Sequence, residues 1–479
     1  MVVGLEPPGP ECVLRDVYRM TVRQSPRLCS KNALRYDAAH HSGLTVLVAI
    51  PLNATAGVHY SLEGKKNMFK MLMIAAALSC LLGAAVAGEG ERNDVPTKVT
   101  IDKHNRFLLN GKPWFPIFFS PKAPPLRAKD PSGRDALAVI REGGVDVFRL
   151  NMEGINDPTC RQYLDWAAEN HMYTFFFIKE YTEFSPKAPE RPEMLRQVIE
   201  KYKRHPAVAF WKNIDEPAWG GADPTGMIEA YKEIKKLDTD HPVWTAHAPR
   251  NTIEVLREYY DACDMSGLDI YPISVPKGKH SHLPNKEISV VGDYARWINK
   301  AVYGKKPFIM ILQVCWSGAT PPKNELVMPT FHQERFMAYQ AIINGSSGLS
   351  FFGMSVALQG KDAEYGYNWT FWNEVMAPLL KEVNRDSELY PALVKPDSKI
   401  RLKASGAPDV EFCAREVGDR LYIMACKREG AKADITFKGK PLTGEIEVLY
   451  ENRTLKAKDG SFTDTFGLND VHVYKVRMK

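Results

Sequence analysis

Cysteine is scarce and unpatterned in this 479-residue chain. There are eight, of which five follow residue 87 (Cys160, Cys263, Cys315, Cys413 and Cys426), and no two are spaced Cys-x-x-Cys. An odd, scattered set excludes a disulfide framework and a cysteine zinc site. Cys413 and Cys426 could meet diagonally across a hairpin, but they read better as two buried free thiols. An excess of one charge is also missing. The formal balance is +6, but residues 1–67 hold eight Lys/Arg against five Asp/Glu and Lys70 adds one more, which leaves only +2 for the rest. That balance implies no nucleic-acid or acidic-membrane partner. No Gly-x-Gly-x-x-Gly follows a strand-like run, which argues against a dinucleotide cofactor. His247, Asp215 and Asp269 could gather around a cation in a fold, but they lack local metal-ligand spacing, so no metal is implied.

Long apolar runs are absent save one, and that one is shorter than a membrane span. Met68-Phe69-Lys70 is a basic start, Met71 to Leu82 an apolar core, and Ala85-Val86-Ala87 a small-residue cleavage site before Gly88. This is the pattern of a secretory signal peptide over 68–87. Its apolar run is too short to cross a bilayer, so it predicts a secreted or periplasmic product without a membrane anchor after cleavage. A lipid anchor at Cys80 is disfavoured, because Ala77 stands where a large aliphatic belongs and the apolar run continues past the cysteine. Signal peptides begin at a start codon. Residues 1–67, a mixture of Pro, Arg and His without periodicity, therefore read as a disordered upstream extension outside the natural product.

What remains is ordinary for a globular protein, at 44% hydrophobic and 25% charged, and too long for one small core. Asn110-Gly111 between two apolar runs predicts a β-hairpin that would plug the bottom of the following fold. Eight apolar runs come next: Trp114–Phe119, Asp146–Met152, Tyr173–Ile178, Val208–Ile214, Val243–Ala246, Met265–Tyr271, Phe308–Val314 and Leu349–Phe352. The segments between them have helical spacing. Met194, Leu195, Val198, Ile199 and Tyr202 share one face, as do Val290, Val291, Tyr294, Trp297 and Ile298. Eight strands alternating with helices over roughly 280 residues predict an α/β fold, a (β/α)8 barrel, within 88–395. A doubly wound open sheet is the rival. A long helix is expected from Thr370 to Leu393. Residues 396–479 then alternate with period two and turn at Gly418-Asp419 and Asp459-Gly460, which predicts an antiparallel β-sandwich.

The C-terminal lips of the barrel strands collect polar residues. Arg149, Asn151 and Glu153 stand at the end of the second run, Glu180 at that of the third, Asp215 and Glu216 the fourth, His247 the fifth, Asp269 and Tyr271 the sixth, and Gln313 and Trp316 the seventh. The run Ala207–Trp219 is the clearest: a buried strand stops at Asp215-Glu216 because Pro217 cannot donate to a ladder. Singly, these residues have bland readings. Arg149 and Asn151 could pair inside the barrel, His247 could be a satisfied core histidine, and Trp316 could only pack. Together, acids beside Trp, Tyr, Asn and Gln suit sugars, which offer apolar ring faces and hydroxyl edges. Trp219, Trp316, Trp369 and Trp372 all lie just past strand ends. Cleaving a glycosidic bond needs one protonated and one ionised carboxyl. Glu216 is the acid candidate, with Trp211 and Trp219 expected to raise its pKa.

Phe107-Leu108-Leu109-Asn110-Gly111-Lys112-Pro113, the strand ending Glu216-Pro217, and Asp269-Ile270-Tyr271-Pro272 resemble the (β/α)8 glycoside hydrolase superfamily of β-galactosidases and endoglucanases. The stretch Pro329 to Gly353 is similar to the seventh helix and eighth strand of those barrels. The resemblance implies a secreted glycosidase acting on a poly- or oligosaccharide, with Glu216 as fourth-strand acid/base and Tyr271 as a helper. Two positions depart from it. Asp215 replaces the usual Asn before the acid, and Gln313 stands where the seventh-strand nucleophile belongs. Asp269 is then the preferred second carboxylate, followed by Glu180 and Asp215. The alternatives are a non-catalytic carbohydrate-binding barrel that lost its nucleophile at Gln313, and metal-dependent or lyase chemistry.

Overall fold

The computed structural model describes residues 95–121, 124–149, 159–315 and 327–478. The signal pattern, the extension before it, Asn151 and Trp316 lie outside the described residues.

Eight parallel strands close into a barrel. In chain order they are Ile117–Ser120, Val147–Phe148, Tyr173–Phe177, Val208–Asp215, Val243–His247, Met265–Asp269, Phe308–Gln313 and Leu349–Phe352. The eighth returns to the first, with Leu349 opposite Ile117. Their unbroken apolar runs reflect burial on both faces. Phe118, Phe175, Phe210, Trp244, Met265 and Ile309 point inward and fill the barrel, whereas Phe119, Phe176, Trp211 and Met310 point outward beneath the helices. The helix Arg191–Tyr202 covers them with Leu195, Val198, Ile199 and Tyr202. Val290–Ala301 does the same with Val290, Val291, Tyr294 and Ile298.

The expected hairpin is part of a three-stranded antiparallel meander, Val99–Ile101, Phe107–Leu109 and Lys112–Trp114. Asn110 and Gly111 carry φ of 49° and 79°, the left-handed pair that a two-residue hairpin turn requires. The meander closes the end of the barrel opposite the acidic lip. Phe107 meets the Phe210 ring edge-on at 5.7 Å, and Trp114 stacks on it at 5.8 Å.

The long helix expected from Thr370 to Leu393 is broken. It runs as Trp369–Phe371, a π turn over Trp372–Met376, and Ala377–Val383, with a separate turn at Tyr390–Leu393. Asn384 leaves the helical region at φ −72°, ψ 175°, and its side chain accepts from the Asp386 amide at 3.0 Å. Asparagine competes with the helix for backbone partners in this way. The expected reach of Trp369 and Trp372 toward a sugar fails as well, since both are buried in the helical shell.

Two antiparallel sheets follow. One orders Lys403–Ser405, Ala433–Lys438 and Ser461–Phe466, and the other orders Val410–Val417, Arg420–Lys427, Val471–Arg477, Gly444–Val448 and Arg453–Ala457. Ile423, Ile435, Phe437, Phe462 and Tyr474 form the core between them, which makes a sandwich. It is pinned to the barrel helices by charge. Glu411 accepts from Gln340 at 3.0 Å, Asn344 at 2.9 Å and Arg296 at 2.5 Å, and Arg428 of the sandwich pairs with Asp293 at 2.9 Å. The five cysteines after residue 87 are free and buried.

Phe210 touches both the plug and the barrel interior, where Phe118 lies 5.0 Å away. Phe210→Ala is expected to lower stability by about 3–5 kcal/mol in a chemical denaturation experiment, without moving the lip residues.

Candidate active site

The geometry of the site begins with an irregularity in the fourth strand. Phe210 and Lys212 face the barrel interior, and Trp211 and Asn213 face the helices. Lys212 pairs with Trp244 of the fifth strand, but the next partnership is Asp215 with Ala246. Three steps on one strand therefore match two on the other, a bulge of one residue. It brings Asp215 to the inward position that Ile214 would otherwise hold. Glu216 then takes a left-handed conformation, φ 49° and ψ 47°, which costs a non-glycine residue about 1–2 kcal/mol. Its amide still donates to the Ala246 carbonyl at 2.9 Å, so the strained residue is held.

A cavity of about 200 Å³ opens at this lip, lined by Ser120, Arg149, Phe175, Phe177, Lys212, Asp215, Glu216, Trp244, Asp269, Tyr271, Ile311, Ser350 and Phe352. Five of the residues proposed from the sequence, Arg149, Asp215, Glu216, Asp269 and Tyr271, thus come together. Two buried polar atoms on its wall, Trp244 Nε1 and Ser350 Oγ, have no hydrogen-bond partner among the described residues. Native proteins rarely orphan buried donors, and two on one cavity suit a polar ligand. Gly267 makes room for the indole: a Cβ there would lie 2.7 Å from Trp244 Nε1.

The three acids differ in proton affinity. Loss of water works against the charge on Asp215, but the Lys212 ammonium at 2.7 Å, with Arg149 and Lys179 beyond, outweighs it and holds this carboxyl below its ordinary value. Asp215 is ringed by protein yet still 54% exposed through the mouth. Glu216 is shifted upward, first by burial and then by the Asp215 charge. Asp269 is raised further, by burial and then by Glu216 and Asp215. Glu216 and Asp269 are hydrogen-bonded to each other, which two ionised carboxylates cannot be, so the pair holds one proton between them. Tyr271 donates to Asp269 and stacks on Phe352 at 5.9 Å. The expected role of Trp211 in raising the Glu216 pKa is corrected here. Its indole faces outward and donates to Asp238 at 2.7 Å.

The remaining sequence candidates lie off the cavity. Gln313 is fully buried. Its amide nitrogen donates to the carbonyls of Ile273 at 2.7 Å and Cys315 at 3.0 Å, and its oxygen accepts from the Ile273 amide at 2.9 Å. It is a clamp on the loop after the sixth strand, so its neutral amide is no vacancy in the acid pair. His247 is buried, and burial followed by the Lys212 charge lowers its pKa to about 3, leaving a neutral ring packed edge-on to Tyr259. Glu180 sits in an exposed 3-10 turn, 3.9 Å from Lys179. Trp219 is 58% exposed beside Glu216, with the Arg250 guanidinium 5.6 Å from its ring. Sequence reasoning missed Lys212. Its signal was a lone cation inside an otherwise apolar strand. Among the described residues, no cluster of three His, Cys, Asp or Glu is arranged to hold a metal.

Neither a family model nor a curated protein matches this sequence. Solved structures match its fold. A glycoside hydrolase of family 5 from Bacteroides vulgatus is similar over 80% of this chain and 94% of its own, at 15% identity and a TM-score of 0.53. A family 27 β-L-arabinopyranosidase from Geobacillus stearothermophilus is similar over 77% and 98%, at 10% identity and a TM-score of 0.51. The closed barrel is therefore of the kind glycoside hydrolases use.

If Gln313 is a clamp, Gln313→Glu creates no nucleophile. The carboxylate faces two carbonyls it cannot bond to, and the variant is expected to lose at least about 2 kcal/mol in thermal unfolding with no gain in any hydrolytic activity.

Proposed function

We propose that this protein is a glycoside hydrolase that cleaves O-glycosidic bonds of an oligo- or polysaccharide, exported through the segment Met68–Ala87. The observation that carries this reading is the contact between the Glu216 and Asp269 carboxyls, both shifted upward by burial and by neighbouring negative charge, in the lining of a cavity of about 200 Å³. Glycosidic cleavage needs one protonated carboxyl and one ionised carboxyl on opposite sides of the bond. Asp269 is the more deeply shifted and holds the proton, which reverses the roles expected from the sequence. Asp269 gives its proton to the departing sugar oxygen while the Glu216 carboxylate attacks the anomeric carbon. Asp269, now ionised, takes a proton from water, and that water opens the glycosyl–Glu216 ester. Hydrogen-bonded to each other, the two carboxyls are closer than the roughly 5–5.5 Å of a retaining pair, so they must part by a few ångströms for the sugar to enter between them. Asp215, kept ionised by Lys212, stays out of proton traffic and stabilises positive charge developing on the sugar ring.

Aryl glycosides of graded leaving-group acidity separate the two roles. Glu216→Gln is expected to lose about two to four orders of magnitude in kcat on every substrate. Asp269→Asn should lose as much on poor leaving groups while sparing activated ones, which need no acid. If the two variants exchange these patterns, the roles are exchanged; if both hydrolyse as the parent does, the reading fails.

The same shift has a consequence for stability. Asp269 binds its proton more tightly folded than unfolded, so between its ordinary value of 3.8 and its raised folded value, rising pH favours the unfolded chain. Asp269→Asn removes that penalty. The variant is expected to melt above the parent at neutral pH, and the gain should vanish as pH falls below about 4.

A further inference from the structure

The cavity that holds the acid pair is cationic on one wall. Phe177, at the end of the third strand, is ringed by three cations. Arg149 Cζ lies 5.5 Å from its centroid, Lys179 Nζ 5.4 Å and Lys212 Nζ 5.1 Å. Lys212 also sits 5.2 Å from the Trp244 centroid. Their counter-ions are unequal. Lys212 is paired to Asp215 at 2.7 Å. Lys179 has Glu180 at 3.9 Å, with both side chains more than half exposed, 53% and 54%, a pairing worth little in water. Arg149 is half-buried on the cavity wall and has no ion-pair or hydrogen-bond partner for its guanidinium among the described residues.

Counting the groups that face the cavity gives the same result. Arg149 and Lys212 contribute two positive charges, Asp215, paired to Lys212, one negative charge, and the proton-sharing pair one more, so the lining balances overall while Arg149 has no carboxylate in contact among the described residues. The polar lining also lacks what a neutral sugar usually receives. Apart from ionisable groups and the Trp244 indole it offers two serines and no Asn or Gln. A guanidinium held against a phenyl face, with no carboxylate partner among the described residues, calls for an oxyanion. Arginine matches a carboxylate or a sulfate with two parallel N–H donors.

We propose that the sugar accepted next to the scissile bond carries an anionic substituent, a carboxylate or a sulfate ester, seated on Arg149 with Lys212 and Lys179 adding to the field. The assignment rests on the glycosidase reading for its position at the scissile bond, while the anion site itself rests only on the cation cluster and the cavity.

The test uses the full chain and matched pairs of probes. Hydrolysis is measured on aryl glucuronides and galacturonides against the corresponding glucosides and galactosides, and on aryl 6-sulfo-glycosides against the unsulfated parents. Binding of the free monosaccharides, glucuronate, galacturonate and 6-sulfo-galactose against glucose and galactose, is measured in parallel by calorimetry. The charged member is expected to be preferred by about tenfold to a hundredfold, with the preference shrinking as salt rises. Arg149→Met should abolish most of that ratio through KM, and Arg149→Lys should restore part of it. Preference for the uronate pair identifies a carboxylate; preference for the sulfated pair identifies a sulfate. Charge-selective binding without hydrolysis of any probe sinks the glycosidase reading and leaves the anion site standing. Equal or weaker binding of the charged members, or a charge preference that Arg149→Met leaves intact, overturns the proposal.

Discussion

Lys212 reaches from the interior of the fourth strand to Asp215 at 2.7 Å, and this ion pair sets the behaviour of the acids around it. Three carboxyls crowded at one lip could not all ionise in a space poor in water. The ammonium settles one of them in the charged form, so Asp215 becomes a fixed negative charge. Burial raises Glu216 and Asp269, that fixed charge adds to the shift, and the two respond by sharing a proton. A neutral residue at position 212 would leave three acids competing for protons in one cluster. A neutral residue at 215 would leave a cation buried between Phe177 and Trp244 without its counter-ion. The division of labour among the acids is therefore electrostatic before it is geometric.

Geometry enters through the bulge. With strict alternation from Lys212, Ile214 would point into the barrel and Asp215 out toward the helices. The extra residue against the fifth strand exchanges them, and the left-handed backbone at Glu216 turns the chain again before Pro217 starts a short helix. Bulges and positive φ at non-glycine residues are both local defects that stable strands avoid. Here they coincide at the two adjacent acids, and the rest of the strand over-determines them. Trp211 is anchored to Asp238 on one side, and Asn213 bonds the Ala262 carbonyl and Thr245 on the other.

The barrel was legible because each strand is an unbroken apolar run and each intervening helix keeps a single apolar face; the eighth strand, Leu349–Phe352, falls where it was expected. The site was legible only in part. Glu216, Asp269, Asp215, Tyr271 and Arg149 sit at strand ends, and position alone marks them. Period-two alternation could not place Trp211 relative to Glu216, since the bulge between them has no signature in residue type. Gln313 invited comparison with a missing nucleophile because its strand end was visible, while its three backbone hydrogen bonds were not. Lys212 was overlooked for the opposite reason: a charged residue in the middle of a buried strand looks like noise until its partner three residues on is seen to share its face.

The three cations around Phe177 bear on how the site holds Arg149 without a carboxylate in contact. An aromatic face offers a guanidinium or an ammonium a weak but dry attraction, enough to hold the side chains in place without consuming their hydrogen-bond donors. Carboxylates in the same positions would neutralise the wall and close it to an anion. They would also add negative charge near Glu216 and Asp269, pushing both acids toward full protonation and removing the ionised member that the chemistry needs. A cationic wall does the reverse. It favours the charged form of Glu216, as Lys212 and Arg250 already do, while the deeper Asp269 keeps the proton because burial dominates there. The field that suits an anionic sugar is thus the same field that keeps the acid pair half-protonated.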